Sequence, residues 1–184
     1  MEKITVSPDA STRLINHGPV VLISVGDQEK DNLFTVAWNM PIRKDPPLVA
    51  IETGKSHYSY AFIAKTGEFG LNVPTASIAE NVMAAGRVTG RTVDDKWQHV
   101  GLTRHPASLI KAPLVAEAVA NLECRVSQVV DLGASALLIA QVVAAVVDRN
   151  SFDGKVWRFD AGLELLHHLG GNTFSISSKR LEID

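Results

Sequence analysis

Apolar and polar residues alternate over several short runs of the chain, a pattern that predicts β-strands. The first run, residues 19–25 (PVVLISV), is rich in β-branched side chains, and a charged turn separates it from residues 32–40 (NLFTVAWNM). In the second run one side carries Phe34, Val36, Trp38 and Met40, and the other carries Leu33, Thr35, Ala37 and Asn39. This alternation predicts one half-buried strand across residues 32–40.

A second group of elements is predicted between residues 46 and 74. The run PPLVAIE at 46–52 is typical of a strand, because the paired prolines end the preceding element and restrict the chain leading in. In the next segment Ser56 is placed to cap a short helix and Gly67 to end it. Residues 67–74 (GEFGLNVP) are again extended, so we expect a strand, a helix and a strand in succession.

The rest of the chain adds short helices and a hairpin. Ser77 and Glu80 form a capping-box signature and predict a short helix that ends at Gly86. Residues 94–101 (DDKWQHVG) indicate one further helical turn. The apolar segments on either side of the turn DLGAS at 131–135 predict a β-hairpin.

Six or seven short strands with two or three short helices favour a mainly β fold. We expect an antiparallel β-barrel with helical insertions and not a doubly wound sheet. No repeat, low-complexity tract or linker rich in Pro, Gly or Ser divides the sequence, so we expect a single domain over residues 1–184.

Composition and charge narrow the possible partners. The net charge is −2 and the basic residues are scattered among acids, so we expect no binding to nucleic acid or to an acidic membrane surface. No apolar segment has the length needed to cross a bilayer, and the N-terminus lacks signal-peptide character. The single cysteine, Cys124, lies in a strand pattern and is expected to be a buried structural thiol. These features favour a soluble, cytoplasmic protein.

Several well-known catalytic and binding motifs are absent from the sequence. There is no G-x-G-x-x-G or P-loop, since the glycines of GRVTGR at 86–91 are too close together, and no H-E-x-x-H, paired C-x-x-C or G-x-S-x-G. His167 and His168 are adjacent, so on a strand they point to opposite faces and do not favour a shared metal. We therefore predict neither a metal site nor a catalytic acid, base or nucleophile.

A candidate anion site lies at the start of the first predicted helix. Ser56 and Ser59 stand where backbone N–H groups and the helix dipole favour a negative charge, and their hydroxyls can donate to phosphate oxygens. Lys96, Arg87 or Arg91 could supply the positive charge that a phosphate dianion needs. Taken alone, Ser56 is better explained as a helix cap and each basic residue as a solvated surface charge.

Five segments together carry a resemblance to a known family. They are NLFTVAWNMPIRKDPPLVAI (32–51), SHYSYAFIAKTGEFGLNVP (56–74), GRVTGRTVDDKW (86–97), APLVAEAVANLECRV (112–126) and LLHHLGG (165–171). In this order the chain resembles the flavin reductase-like family of FMN-binding split barrels, and within it the flavoredoxins. The likeness runs from about Pro19 to Phe174.

The resemblance implies a six-stranded antiparallel split barrel, a homodimer and noncovalently bound FMN, with FAD less favoured. Asn32 and Trp38 match positions that contact the flavin, and residues 35–37 match the strand segment along its ring and ribityl chain. Ser59 falls near the phosphate, and Lys96 matches a phosphate-binding lysine. The full set of cofactor-binding residues expected in this way is Asn32, Thr35, Val36, Ala37, Trp38, Ser56, Ser59, Asn72, Val73, Lys96 and Ser135.

The turn at 131–135 departs from the family pattern. Relatives that reduce flavin with NAD(P)H often have Gly-Asp-His where this sequence has Gly133, Ala134 and Ser135. The resemblance therefore implies an oxidoreductase that transfers electrons through bound flavin, and the missing imidazole puts direct use of NAD(P)H in question. The alternatives are an electron carrier that docks with a redox partner protein and a flavin-binding module without turnover.

Overall fold

The computed structural model describes residues 1–27 and 29–183. Its strands are β1 (Val21–Gly26), β2 (Asp31–Val36), β3 (Asn39–Arg43), β4 (Leu48–Gly54), β5 (Glu68–Val73), β6 (Arg104–His105), β7 (Leu114–Val115), β8 (Ala120–Asp131), β9 (Ser135–Val147), β10 (Leu165–Gly170) and β11 (Thr173–Ser177). Its α-helices are α1 (Ser11–Ile15), α2 (Tyr58–Thr66), α3 (Ala79–Arg87) and α4 (Lys96–Val100). None of the helices in the described residues is long and apolar enough to span a membrane.

Seven strands form one antiparallel sheet in the order β2-β1-β5-β8-β9-β4-β3, which confirms the mainly β fold class. The predicted hairpin around residues 131–135 is confirmed as β8 and β9, the two longest strands. Two short pairs, β6 with β7 and β10 with β11, lie outside this sheet.

The prediction of one continuous strand over residues 32–40 is wrong, because the strand is interrupted at Ala37 and Trp38. Its first part, β2, pairs with β1, and its second part, β3, pairs with β4. The Trp38 carbonyl accepts a hydrogen bond from the Glu52 backbone N–H at 3.0 Å, and the Asn39 side chain donates to the Pro19 carbonyl at 2.9 Å. The interrupted strand thereby joins the two edges of the sheet, and counting β2 and β3 as one gives the six strands of a split barrel.

Two apolar clusters lie on opposite sides of β1 and β2. The barrel interior contains Phe69 and Cys124, and an outer cluster packs α3 and α4 against the same strands around the fully buried Trp97. The expectation of a buried Cys124 is confirmed, and burial raises the pKa of this thiol to about 12. β2 is consequently held from both sides, which fixes the position of any site built on it.

Both helix starts predicted from serine residues are wrong. Helix α2 begins after His57, and no side chain caps it, so Ser56 is not the cap. Helix α3 begins after Ile78, behind a turn of 3-10 helix at Ala76–Ile78, and no capping box forms. The predicted end of α2 is confirmed, since Gly67 adopts the left-handed conformation with φ 67°.

Candidate functional site

A cleft lies between β2, the start of α2 and the segment that follows α3. It consists of two adjoining cavities of about 360 and 270 Å³, which share Phe34, Thr35 and His57. The larger, the cationic cavity, is lined also by Asn32, Ser56, Tyr58, Ser59, residues 85–91 and Lys96. The smaller, the strand cavity, is lined also by Val36, Ala37, Trp38, Glu52 and Thr53. Eight of the eleven predicted residues therefore line this cleft, with Thr35 in both cavities.

Lys96 is the central charge of the cationic cavity. The residue is only 5% exposed, and its Nζ donates one hydrogen bond, to the Ala85 carbonyl at 2.8 Å. Burial lowers the pKa of this ammonium to about 8. An ammonium has three donors, so the structure leaves hydrogen-bonding capacity and positive charge for a ligand.

The other charges around this cavity have the same sign. Arg87 and Arg91 also line it, and the described lining residues include no carboxylate. Arg91 donates to the Ser56 carbonyl at 3.1 Å, and its guanidinium lies 5.6 Å from the centre of the Tyr58 ring. Arg91 thus fastens the segment after α3 to the start of α2. Three cations without a facing carboxylate make this end of the cleft suited to an anion.

The start of α2 adds backbone donors to the cationic cavity. His57 is the N-cap residue with an extended backbone conformation, and it makes no side-chain capping bond to the first turn. The first N–H groups of a helix have no partner within the helix, and together with the helix dipole they favour a negative charge. Ser59, nearly fully buried, places its hydroxyl at this same helix start.

Asn32 carries a buried acceptor without a partner. Its Nδ2 donates to Ser59 Oγ at 2.8 Å, whereas its Oδ1 is buried and accepts no hydrogen bond. Gly90 approaches so closely that an added Cβ would lie 2.7 Å from Asn32 Oδ1 and 2.8 Å from Tyr58 Cδ1. Because a buried carbonyl is costly to leave unpaired, this oxygen fits a ligand that donates a hydroxyl or N–H.

The strand cavity has a flatter and more apolar surface than the cationic cavity. Val36 and Ala37 lie where β2 ends, and Trp38 is 52% exposed at the interruption before β3. Thr35 Oγ1 donates to the Val82 carbonyl at 2.5 Å and so fastens α3 to β2. The cleft as a whole therefore runs from a cationic end to an aromatic wall.

Three of the predicted site residues lie outside the cleft. Asn72 is fully buried, and its side chain binds the Leu22 carbonyl and the Val115 N–H, each at 2.9 Å. Val73 lines an apolar groove elsewhere on the barrel. Ser135, in the first position of β9, pairs with Gly54 and lines neither cavity of the cleft.

Sequence reasoning missed His57, which lines both halves of the cleft. Its Nδ1 lies 3.3 Å from Thr53 Oγ1, and its ring covers Gly54, where an added Cβ would lie 3.1 Å from Nε2. Because Gly54 pairs with Ser135, this imidazole lies close to the turn in which the sequence lacks one. The available signal was its place directly after Ser56, the predicted helix cap, at the candidate anion site.

A barrel closed by an interrupted strand, with an elongated cleft at that interruption, defines a class of proteins that can hold a ligand with one anionic and one aromatic end. A family model described as flavin reductase like domain matches residues 13–171, and the chain belongs to this family.

Relatives and solved structures agree with that assignment. YddH, an uncharacterised protein of Escherichia coli, is 36% identical over 176 residues, which cover 93% of each chain. The structure of an FMN-binding domain of a flavin reductases-like enzyme from Shewanella baltica has a TM-score of 0.82 at 26% identity, with 97% of this chain and 96% of that chain covered. Flavoredoxin from Methanosarcina acetivorans shares the fold, with a TM-score of 0.84 at 23% identity and coverage of 100% and 95%.

Proposed function

We propose that this protein is an FMN-binding oxidoreductase of the flavin reductase-like type, which transfers electrons through its bound flavin. The observation that carries the proposal is the buried Lys96 ammonium, which makes one hydrogen bond in a cavity lined by two further cations. A buried charge that the protein itself leaves without a counter-ion fits a phosphate group. The similar Shewanella structure is of an FMN-binding domain, which supports the choice of this phosphorylated flavin.

The residues of the cleft fit the parts of FMN. Lys96, Arg91 and the start of α2 would hold the phosphate, and Asn32 Oδ1 would accept from a ribityl hydroxyl or a ring N–H. Residues 35–37 and Trp38 would lie along the ring. Bound flavin supplies the hydride and electron chemistry, and the protein positions it and shields it from water. Asn72 and Val73 would act indirectly, by fixing β5 within the barrel.

Release and identification of the cofactor test this proposal. Protein purified from an expression host is expected to be yellow, and heating it should free FMN, identified by mass and fluorescence. A colourless protein that cannot be reconstituted with micromolar FMN would contradict the assignment.

Electron carriage without direct NAD(P)H oxidation is the second candidate, favoured by the turn Gly133-Ala134-Ser135 without its imidazole. Ser135→His should raise the rate of flavin reduction by NADH or NADPH by several-fold to about a hundredfold if the turn limits nicotinamide positioning. FMN affinity should stay within a few-fold. Stopped-flow absorbance under anaerobic conditions measures the rate. Fast wild-type reduction with no gain from Ser135→His would remove the support for the carrier.

We further propose that two copies of the chain form a homodimer in the cytoplasm. Trp38, Met40 and Ile42 are large apolar residues exposed side by side around β3. A further cavity of about 430 Å³ lies between this surface and α1, where Thr12 and Ile15 line it. Exposed apolar patches of this kind are typical of interfaces. Light scattering that gives the 19.9 kDa mass of one flavin-loaded chain would contradict the dimer.

A further inference from the structure

A second, larger cavity adjoins the phosphate end of the cleft. It has a volume of about 790 Å³ and is continuous with the cationic cavity through shared walls. The shared residues are Asn32, Tyr58, Gly90, Arg91 and Lys96. A ligand that extends beyond the phosphate site in this direction therefore enters the second cavity, which is large enough to admit a nucleoside phosphate.

The walls of this second cavity, called the acidic cavity below, carry the opposite charge. Its own residues include five carboxylates, at Asp27, Glu29, Asp31, Asp94 and Asp95. The cations found here and not in the cationic cavity are Lys30 and Arg104. Tyr58 is the one aromatic among the described lining residues, and Arg91 covers its ring.

Most of these carboxylates have counter-ions, but two have none among the described residues. Arg104 pairs with Asp31 at 2.8 Å and with Asp95 at 2.9 Å, and Lys65 pairs with Asp27 at 2.6 Å. Glu29 and Asp94 form no ion pair with any residue that the structure describes. Asp94 is exposed, lines the acidic cavity only and lies two positions before Lys96, which lines both cavities, so its charge borders the acidic cavity.

We propose that Asp94, with Glu29, makes the site selective for a flavin that ends in a phosphomonoester and excludes a flavin dinucleotide. This inference rests on the proposed function. A phosphomonoester carries a charge of about −1.5 to −2 at pH 7 at one point, where Lys96 and Arg91 can neutralise it. A flavin dinucleotide divides a similar charge between two phosphates. Only the first of these phosphates meets Lys96 and Arg91, and the second extends into the acidic cavity with its own negative charge.

Charge and not size makes the distinction, because the acidic cavity has room for an adenosine phosphate. Two unit charges several ångströms apart near a protein surface interact by an amount that corresponds to about a tenfold change in affinity. We therefore expect wild-type protein to bind FMN at least about tenfold more tightly than FAD at low salt. The ratio should fall as salt rises, because the charges concerned are exposed to screening.

Equilibrium titrations of the flavin-free protein test the inference through quenching of flavin fluorescence. FMN, FAD and riboflavin are titrated into wild type, Asp94→Asn, Asp94→Lys and the double variant Glu29→Gln/Asp94→Asn. The ratio of FAD to FMN dissociation constants should fall about several-fold in Asp94→Asn and further in the other two. Asp45→Asn, which removes a carboxylate exposed in the loop between β3 and β4, should leave the ratio unchanged.

The outcomes separate the inference from the proposed function. Equal affinity for FMN and FAD in wild type, or a ratio that none of the Asp94 variants moves, overturns the inference while flavin binding stands. Tight binding of FMN with equally tight riboflavin would show that no phosphate site operates, which overturns both. A ratio of FAD to FMN dissociation constants that falls in the Asp94 variants and stays unchanged in Asp45→Asn supports the inference.

Discussion

Two helices begin beside the cleft, and their first turns are completed in different ways. At the start of α4, Asp95 accepts hydrogen bonds from the backbone N–H groups of Trp97 at 2.9 Å and Gln98 at 3.3 Å. At the start of α2, His57 caps nothing. The protein therefore supplies its own carboxylate to one helix and leaves the other open towards the cationic cavity.

This difference supports our proposal that a ligand anion binds at the start of α2. Asp95 is held by Arg104, which together with the capping bonds lowers the pKa of its carboxyl group below the ordinary value. No described carboxylate lines the cationic cavity where α2 begins. Lys96, the first residue of the capped helix, directs its ammonium into that cavity. The protein thus completes the start of α4 with its own carboxylate, and under our proposal the ligand's phosphate completes the start of α2.

Removing the ammonium of Lys96 should have the largest effect on FMN affinity. Charge-assisted hydrogen bonds contribute about 1.5 to 3 kcal/mol, so Lys96→Ala should weaken FMN by roughly 10- to 150-fold. Riboflavin, which has no phosphate, should change little. Isothermal titration of both ligands measures this, with Lys44→Ala as the exposed control. Equal weakening of the two ligands would mean that Lys96 acts through the fold.

Giving α2 a carboxylate cap would make the two helix starts alike. His57→Asp places a negative charge beside the phosphate and occupies the free N–H groups, so FMN should weaken by about 30-fold. The thermal midpoint of the flavin-free protein should rise, because the helix gains a cap. His57→Asn separates the two effects, since it caps without charge and should weaken FMN only several-fold. If Asp and Asn variants bind FMN alike, charge at this helix start is unimportant.

FMN affinity and the stability of the flavin-free protein should both depend on pH, because burial lowers the pKa of Lys96 to about 8. FMN affinity should fall by about tenfold between pH 7 and pH 9 as the ammonium loses its proton. Flavin-free protein should show the opposite trend in stability. Above pH 8 the folded Lys96 binds fewer protons than the unfolded chain, so the free energy of unfolding rises with pH until the ordinary lysine pKa is reached. Titrations and urea unfolding at several pH values measure both slopes; Lys96→Ala should flatten them.

Removing the cap of α4 should have the smallest effect on the ligand. Asp95→Ala leaves two backbone N–H groups without their acceptor and should lower the free energy of unfolding by about 1 to 2 kcal/mol. FMN affinity should remain within about threefold. Urea unfolding measures the loss, and Asp94→Ala, which removes the neighbouring carboxylate and caps nothing, should stay within about 0.5 kcal/mol. A large loss of FMN binding with unchanged stability would place Asp95 in the site itself.

Local patterns in the sequence predicted much of the fold. Residues 46–52 and 67–74, the end of α2 at Gly67 and the hairpin at 131–135 follow from propensity and turn chemistry, which act between near neighbours. The interruption at Ala37 and Trp38 could not be predicted in this way. Alternation continues through it, and the bend depends on hydrogen bonds from Asn39 to Pro19 and from Glu52 to Trp38.

The site was predictable only in part for a similar reason. A helix start with serines is a local signal, and it pointed to Ser56 and Ser59, whereas Lys96 is distant in sequence and was singled out by the family resemblance; all three line the same cavity. Alternation tells which residues share a face but not what covers that face. The resemblance alone suggested Asn72 as a flavin contact, whereas in the fold β7 lies against it and the Val115 N–H donates to its Oδ1.

The interrupted strand also has a consequence for the order of folding. The two halves of this strand pair with segments near in sequence. In β2, Val36 pairs with Val21 of β1, and in β3, Asn39 pairs with Ile51 of β4. The rest of the barrel needs much longer loops, as when Leu48 pairs with Gln141. Short loops close at lower entropic cost and faster than long ones. Residues 21–54 are therefore expected to form their meander first, so the wall of the cleft is assembled before the barrel that surrounds it is complete.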